Sequence, residues 1–395
     1  MMDWKYVQAQ YPVNKEMIWL NNCGMTPAGE HIVSAVNRFM TGYSQKGILT
    51  ETADYMDVKQ RIKSILGQLL GAESEELALI HNTSEGMNIL SHGLHLKAGE
   101  EIILLENEYP SNVYPWRHWE ENGVILKTAA MGSSPENFLE GLIPLITDQT
   151  RLISLSAVHW CTGMPLPLEQ IGKICREKNI LFSVDGAQGV GMQPMDVRKM
   201  NIDFMAFSAW KWLMGPPGMG VLYISKKRLK DLKSVFVGTG SVINDREYLP
   251  YKTQLKPDAD RFTISTADFL NWVYFLASLE FLCDIGFDRV RTRIFELTEY
   301  LNQRLRMMGF EVLSDQFPDH PTGITVCQKA GLASDRLAEK LKEQKVIAAL
   351  RLGRIRFSPH IYLSKQQMDE TARAISEACL NHLYSRTVNG SDLKI

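Results

Sequence analysis

The sequence predicts an α/β fold, with a large domain built on a mainly parallel sheet between helices and a smaller α+β domain behind it in the chain. Three observations carry this expectation. Short apolar runs alternate with amphipathic stretches through the first half of the chain. The runs are apolar on both faces, as strands covered on both sides must be. Past Gly240 the pattern lapses into a polar stretch and then resumes on a smaller scale. A chain of 395 residues is long for one simple domain and suits such a division.

Taken in order, the runs at 77–80, 101–105, 124–128, 152–156, 180–184 and 204–207 read as strands. The stretches 85–94, 112–122, 135–146 and 168–178 read as the helices between them, with right-handed crossovers expected. A run at 221–224 reads as a strand running against the others. Residues 242–261 are polar and without period. Beyond them, 266–285 reads as a long apolar helix, 287–308 as a longer amphipathic one, and 309–385 as short strands and helices in alternation. The expected division is an N-terminal arm, 1–20, packing on the small domain, a large domain over 21–260, linking helices and the small domain over 261–385, and a frayed tail over 386–395.

Composition excludes several classes. Lys and Arg number 43 against 45 Asp and Glu, a net charge of −2, so a nucleic-acid partner is not expected. The six cysteines (Cys23, Cys161, Cys175, Cys283, Cys327 and Cys379) are scattered without metal-ligand spacing. A reduced, cytoplasmic setting fits that usage. No signal-peptide core and no spanning run is seen, so no membrane is expected. No HExxH-like cluster occurs, and no metal is expected.

Two segments carry chemistry. Lys211 follows the apolar run 203–207, stands between Trp210 and Trp212, and precedes the Gly/Pro stretch 215–220. Apolar surroundings disfavour an ammonium ion and make the amine a better nucleophile toward an aldehyde. Asp185 ends the run 181–184, where open α/β sheets bind ligands. A lysine for a Schiff base and an aspartate for a pyridinium nitrogen are the minimum set for pyridoxal 5'-phosphate. Thr83 and Ser84 open a helix after a strand, which makes an anion site suited to the phosphate. Ser208 adds a hydroxyl near the lysine, and Gln188 a hydrogen bond for the ring oxygen. Tyr109, after the run 101–105, is placed to stack on a pyridine ring. Arg354 and Arg356 share one face of a strand, and one can fork onto a substrate carboxylate. Stretch 215–220 reads as a tight turn rather than a dinucleotide loop.

With these residues assembled, the chain resembles the fold type I pyridoxal-phosphate enzymes, and within them the class-V aminotransferase group. That group includes cysteine desulfurases, selenocysteine lyases, kynureninases and isopenicillin N epimerase-like proteins. The resemblance runs from Trp19 to about Leu383 and rests on Asp185-Gly186-Ala187-Gln188 together with 208–220. It implies that Lys211 holds the cofactor and moves the Cα proton, that Asp185 pairs with the pyridinium, and that Gln188 bonds the ring hydroxyl. It further implies that Thr83, Ser84 and Ser208 hold the phosphate, with Tyr109 on the ring. Thr266 is implied to reach the phosphate of a neighbouring subunit, and so a homodimer with shared sites. Arg356, followed by Ser358 and Tyr362, is implied to bind the substrate carboxylate.

The chain departs from the desulfurases in three places. Tyr109 stands where they carry a stacking histidine, and Trp210 replaces a histidine before the lysine. They also carry a persulfide-forming cysteine on a mobile loop ahead of the substrate arginine, whereas 345–356 here is short and has none. Cys23 and Cys161 read as buried and inert. The expected reaction is therefore β-elimination from an L-amino acid with a sulfur leaving group, giving a keto acid and ammonia. Transamination and epimerisation use the same residues, and a binding protein without activity is the alternative outside enzymes. Asn22, Cys23, His159, Trp160 and 242–261 are the candidates for side-chain recognition, with His159 the candidate acid for the leaving group.

Overall fold

The computed structural model describes residues 3–47, 52–244, 247–266 and 268–388, with backbone alone at 52–56 and 381–388. The tail beyond 388, part of the segment expected to fray, lies outside the described residues, as do Asp245 and Arg246 within 242–261. Two compact units make up the chain. One comprises Met1–Glu30, Cys161–Met164 and Ile285–Ile395, and the other His31–Trp160 and Pro165–Asp284. The first strand of the chain, β1 (Ile18–Trp19), belongs to the former.

The larger unit is built on seven strands: β2 (Leu77–Ile80), β3 (Glu101–Leu105), β4 (Ile125–Ala129), β5 (Thr150–Ser156), β6 (Leu181–Asp185), β7 (Phe204–Ser208) and β8 (Gly220–Ile224). Their spatial order is β2-β8-β7-β6-β5-β3-β4. Strand β8 is antiparallel to both its neighbours and every other pairing is parallel. Five of these strands are buried along their whole length. On one face the period of two brings Ala78, Ile80, Ile102, Leu104, Phe204, Ala206, Leu222 and Ile224 into one core cluster. Met87 and Leu90 of the helix Thr83–Gly93 cover it. Each large side chain so buried stabilises by about 1.5–3 kcal/mol.

The stretch 112–122 is not the single helix expected. It forms three short turns, Pro110–Asn112, Tyr114–Arg117 and Glu120–Asn122. Pro115 offers no N–H to a continuous helix, and the Asn112 side chain is committed to tertiary bonds described below. The helices Glu30–Lys46 and Thr52–Leu70 precede the sheet. Phe269–Ile285 is apolar round most of its surface and buries Trp272, Phe275, Leu276, Leu279, Phe281 and Leu282.

In the smaller unit β9 (Glu311–Val312), β10 (Thr325–Gln328), β12 (Ala349–Arg351) and β13 (Arg354–Phe357) form an antiparallel sheet ordered β12-β13-β10-β9. Strand β11 (Val346–Ile347) pairs in parallel with β1. Residues 4–22 are tied to this unit. Tyr11 stacks on Tyr362 at 4.3 Å, and Asn14 Nδ2 donates to the Tyr362 carbonyl at 2.8 Å. The helix Phe287–Met307 presents Val290, Ile294, Leu297, Leu301 and Leu305 inward, the spacing of one helical stripe. Among the described residues no single helix is long and apolar enough to cross a membrane.

Candidate active site

Strands β2, β3, β5, β6 and β7 point the same way, and the segments at their C-terminal ends carry most of the residues singled out from the sequence. Thr83 and Ser84 follow β2, Tyr109 follows β3, and His159 follows β5. Asp185 closes β6, Ser208 closes β7, and Lys211 lies three residues on. Register fixes their level: Ile80 and Ser208 both pair with Gly220, and Ser156 pairs with Asp185. Parallel sheets collect ligand-binding groups at this end.

Lys211 stands in the turn between β7 and β8. Ala209 N–H donates to Met219 at 2.9 Å, Gly215 N–H to Ala209 at 2.8 Å, and Met214 N–H to Lys211 at 3.0 Å. The lysine is buried, and its Nζ lies 5.5 Å from the centre of the Tyr109 ring. Asp185 is buried too, and its Oδ1 accepts Ala187 N–H at 2.8 Å. Burial raises the Asp185 carboxyl above the ordinary carboxylate range, against the downward pull of the Lys211 charge and the Ala187 N–H. A buried carboxylate at the C-terminal end of a parallel strand is a place for a ligand N–H.

Hydroxyls from three segments converge at the start of the helix Thr83–Gly93. Thr83 N–H donates to Ser208 Oγ at 3.2 Å, and the two side-chain oxygens lie 2.9 Å apart. Ser84 Oγ is 2.7 Å from Ser111 Oγ. Asn82 caps the helix by accepting Glu85 N–H at 2.9 Å. The Ser84 amide in the first turn and the positive end of the helix dipole suit a phosphate. Gly86 lets this turn lie directly on β7, since a Cβ there would stand 2.5 Å from the Ala206 Cβ.

Other expected residues are placed as follows. Gln188 accepts Trp212 Nε1–H at 3.1 Å through its amide oxygen, so a hydrogen bond it gives to a ring oxygen comes from the amide nitrogen. Trp212 is itself fully buried. Tyr109 is 41% exposed and meets Trp160 edge-on at 5.5 Å. His159 is buried, and its ring is lowered to about 4 by desolvation, so it is neutral near pH 7. A carbonyl only accepts, so the Nε2 proton is on the Asn107 carbonyl at 3.2 Å. A neutral imidazole anchored this way has no easily released proton to give to a leaving group. Thr266 is exposed and lines a cavity of about 350 Å³ with His81, Glu85, Gly218 and Thr263.

Asn22 and Arg356 belong to the smaller unit. Arg356 is 2% exposed and pairs with Val326 and Ala349 across the sheet. Arg354, on the same face by period, is half-buried and donates to Gln328 at 3.0 Å. Asn22 Nδ2 donates to the Ser358 carbonyl at 2.7 Å and its Oδ1 accepts Tyr362 O–H at 2.7 Å. Cys23 and Cys161 are buried.

The family profile described as Aminotransferase class-V matches residues 18–377. The chain belongs to the class-V aminotransferase family. A probable cysteine desulfurase of Pyrococcus abyssi is 25% identical over 96% of this chain and 98% of its own. An isopenicillin N epimerase of Amycolatopsis lactamdurans is 27% identical over 79% of this chain and 83% of its own. Among solved structures, the complex of the cystine C-S lyase C-DES with its product cysteine persulfide superposes with a TM-score of 0.85. It is 21% identical and covers 93% of this chain and 99% of that one.

As a class-V enzyme the protein has fold type I and depends on pyridoxal phosphate. Its residues fit that cofactor: a buried lysine in a tight turn, a buried carboxylate closing β6, two places along the sheet from the edge pair β2-β8, and a hydroxyl-rich helix start, all at one end of one sheet.

Sequence reasoning missed the polar network behind Tyr109. Glu108 is buried and bonded to Ser156, Asn112 and the Tyr109 amide, while Asn112 also takes Trp116 Nε1–H at 3.1 Å and Ser154 Oγ–H at 2.6 Å. A carboxylate three residues beyond the apolar run 102–105 was the available signal. Reading 112–122 as a plain helix hid it.

Proposed function

We propose that this class-V enzyme is a β-eliminating C–S lyase, acting on cystine or an S-substituted L-cysteine to give pyruvate, ammonia and a sulfur leaving group. The observation that carries the reading is the hairpin ahead of Arg356. Arg351 pairs with Arg354 across the two-residue turn Leu352-Gly353, so β12 runs straight into β13. Both turn residues have positive φ, 46° and 74°, the pattern of a tight primed hairpin. This hairpin has no room for a loop and no cysteine, so no thiol here is positioned to take sulfur from a substrate. β-Elimination needs none.

Pyridoxal phosphate, when bound, supplies an electron sink that acidifies the Cα–H of an amino acid. Lys211 would hold the cofactor through Nζ and, once released, take the Cα proton at that same nitrogen. Asp185 would face the pyridine nitrogen, Gln188 the ring oxygen and Tyr109 the ring face. Thr83, Ser84 and Ser208 would hold the phosphate. Arg356 would fork onto the substrate carboxylate, with Asn22 beside it on the backbone of Ser358. Exposure of Thr266 suits the reading of a homodimer in which it reaches a neighbour's phosphate. We place the enzyme in the cytoplasm.

The test is a panel of S-substituted cysteines given to the purified, cofactor-loaded protein. Keto acid formed over many turnovers with an unchanged cofactor spectrum supports elimination. Conversion of the cofactor to its amine form, reversed by a keto acid, means transamination instead.

A further inference from the structure

The mechanism above leaves the buried carboxyl of Glu108 unused. Glu108 is 7% exposed and Asp185 3%. Glu108 Oε2 accepts Ser156 N–H at 2.7 Å and Asn112 Nδ2–H at 3.3 Å. Its Oε1 accepts Tyr109 N–H at 2.7 Å and makes a close contact with the Ser156 hydroxyl. Ser156 is the register partner of Asp185, so the Glu108 carboxyl is bonded to the strand next to the one that carries Asp185.

Two buried carboxylates, one bonded to the register partner of the other, do not both ionise freely. Asp185 has the Lys211 charge and the Ala187 N–H to favour its anion. Glu108 has hydrogen-bond donors but no cation, and burial together with the Asp185 charge pushes it up to about 7. Three of its four partners are N–H groups that can only donate. The Ser156 hydroxyl alone can also accept, so a proton on Glu108 Oε1 has a place to point. The other titratable groups at this corner are Lys211 on the turn after β7, His159 on the loop after β5, and Glu106 and Tyr109 flanking Glu108. His159 is neutral, and Glu106 accepts Met131 N–H at 3.1 Å.

We propose that Glu108 is a positioning residue for the cofactor that acts through Asp185: a proton lodged between Glu108 and Ser156 leaves Asp185 as the anion facing the pyridine nitrogen, and loss of that proton places a second negative charge behind it. The proposal rests on the assignment of Asp185 to the pyridine nitrogen. No bond to carbon is made or broken; one proton passes between the Glu108 carboxyl and water.

Two measurements test it. In the cofactor-free wild type, infrared titration with isotope-labelled glutamate should show one protonated side-chain carboxyl persisting to a midpoint near pH 7, against the ordinary midpoint near 4.3. In the substrate-free holoenzyme, cofactor absorbance should show a step over the same range that Glu108→Gln removes. Asp185→Asn should change the spectrum at every pH. Absence of the high-pH glutamic acid in the wild type overturns the proposal even where Glu108→Gln fails to fold. A step that survives Glu108→Gln overturns the link to the cofactor. An unaltered spectrum in Asp185→Asn overturns instead the Asp185 assignment beneath it.

Discussion

Gly86, in the first turn of the helix after β2, lies against Ala206 of β7 so closely that a Cβ on it would stand 2.5 Å from the Ala206 Cβ and 3.0 Å from Ile80 Cδ1. That contact sets the height of the helix start, and with it the 2.9 Å approach of Thr83 to Ser208. Gly86→Ala should therefore destabilise the protein by about 1–3 kcal/mol through overpacking, despite the better helix propensity of alanine. It should also weaken pyridoxal phosphate binding to the cofactor-free protein. Denaturant unfolding and cofactor titration measure the two; an unchanged cofactor affinity would separate the helix from the phosphate site.

Asp260 accepts two buried lysines, Lys59 at 2.7 Å and Lys63 at 3.2 Å. Their charges pull its carboxyl below the ordinary range, against the opposing effect of burial. Its contribution is thus fully present above the unfolded carboxylate pKa and is lost as pH falls through the lower folded one. Asp260→Ala strands two ammonium groups and should cost about 3–5 kcal/mol at pH 7. The loss should shrink toward high pH, where Lys59, already lowered by burial, gives up its proton. Urea unfolding at pH 7 and pH 9 reads both effects.

His159 is held neutral by burial, lowered to about 4. Being lowered, it contributes stability that is full above the unfolded histidine pKa and is lost as pH falls through about 4. His159→Asn should change kcat by less than about fivefold, whereas loss of a true acid catalyst costs roughly 10²–10⁴. Steady-state kinetics on a turned-over S-substituted cysteine decides between them.

Leu352 occupies the first turn position of the β12–β13 hairpin with φ 46°, and 64% of it is exposed. A leucine pays sterically for that conformation, whereas asparagine adopts it readily. Leu352→Asn should raise Tm by a few degrees, corresponding to about 0.5–1 kcal/mol, since almost no burial is lost. A lower Tm would show that the side chain contributes more than its exposure suggests.

The strand core of the larger unit was legible because strands such as β2, β7 and β8 are nearly continuous apolar runs, and only the ends moved by a residue or two. The opposed direction of β8 was legible from the short Gly/Pro return after Lys211, which leaves no room for a crossover. Lys211 and Asp185 stood out because charged groups at the ends of apolar strands need a reason. Glu108 and Asn112 did not, because their partners Ser156, Ser154 and Trp116 come from other elements, and a single sequence shows no such pairing. The break of 112–122 into turns has the same origin: Asn112 is spent on tertiary bonds, and Pro115 lacks the N–H a helix would use.

The most direct test of the account is the product of L-cystine turnover by the cofactor-loaded wild type, with Lys211→Ala in parallel. Elimination predicts pyruvate and ammonia in equal amounts over many turnovers, with cysteine persulfide as the sulfur product, and neither keto acid nor ammonia from Lys211→Ala. Alanine in place of pyruvate, or pyruvate formed at an undiminished rate by Lys211→Ala, would contradict it.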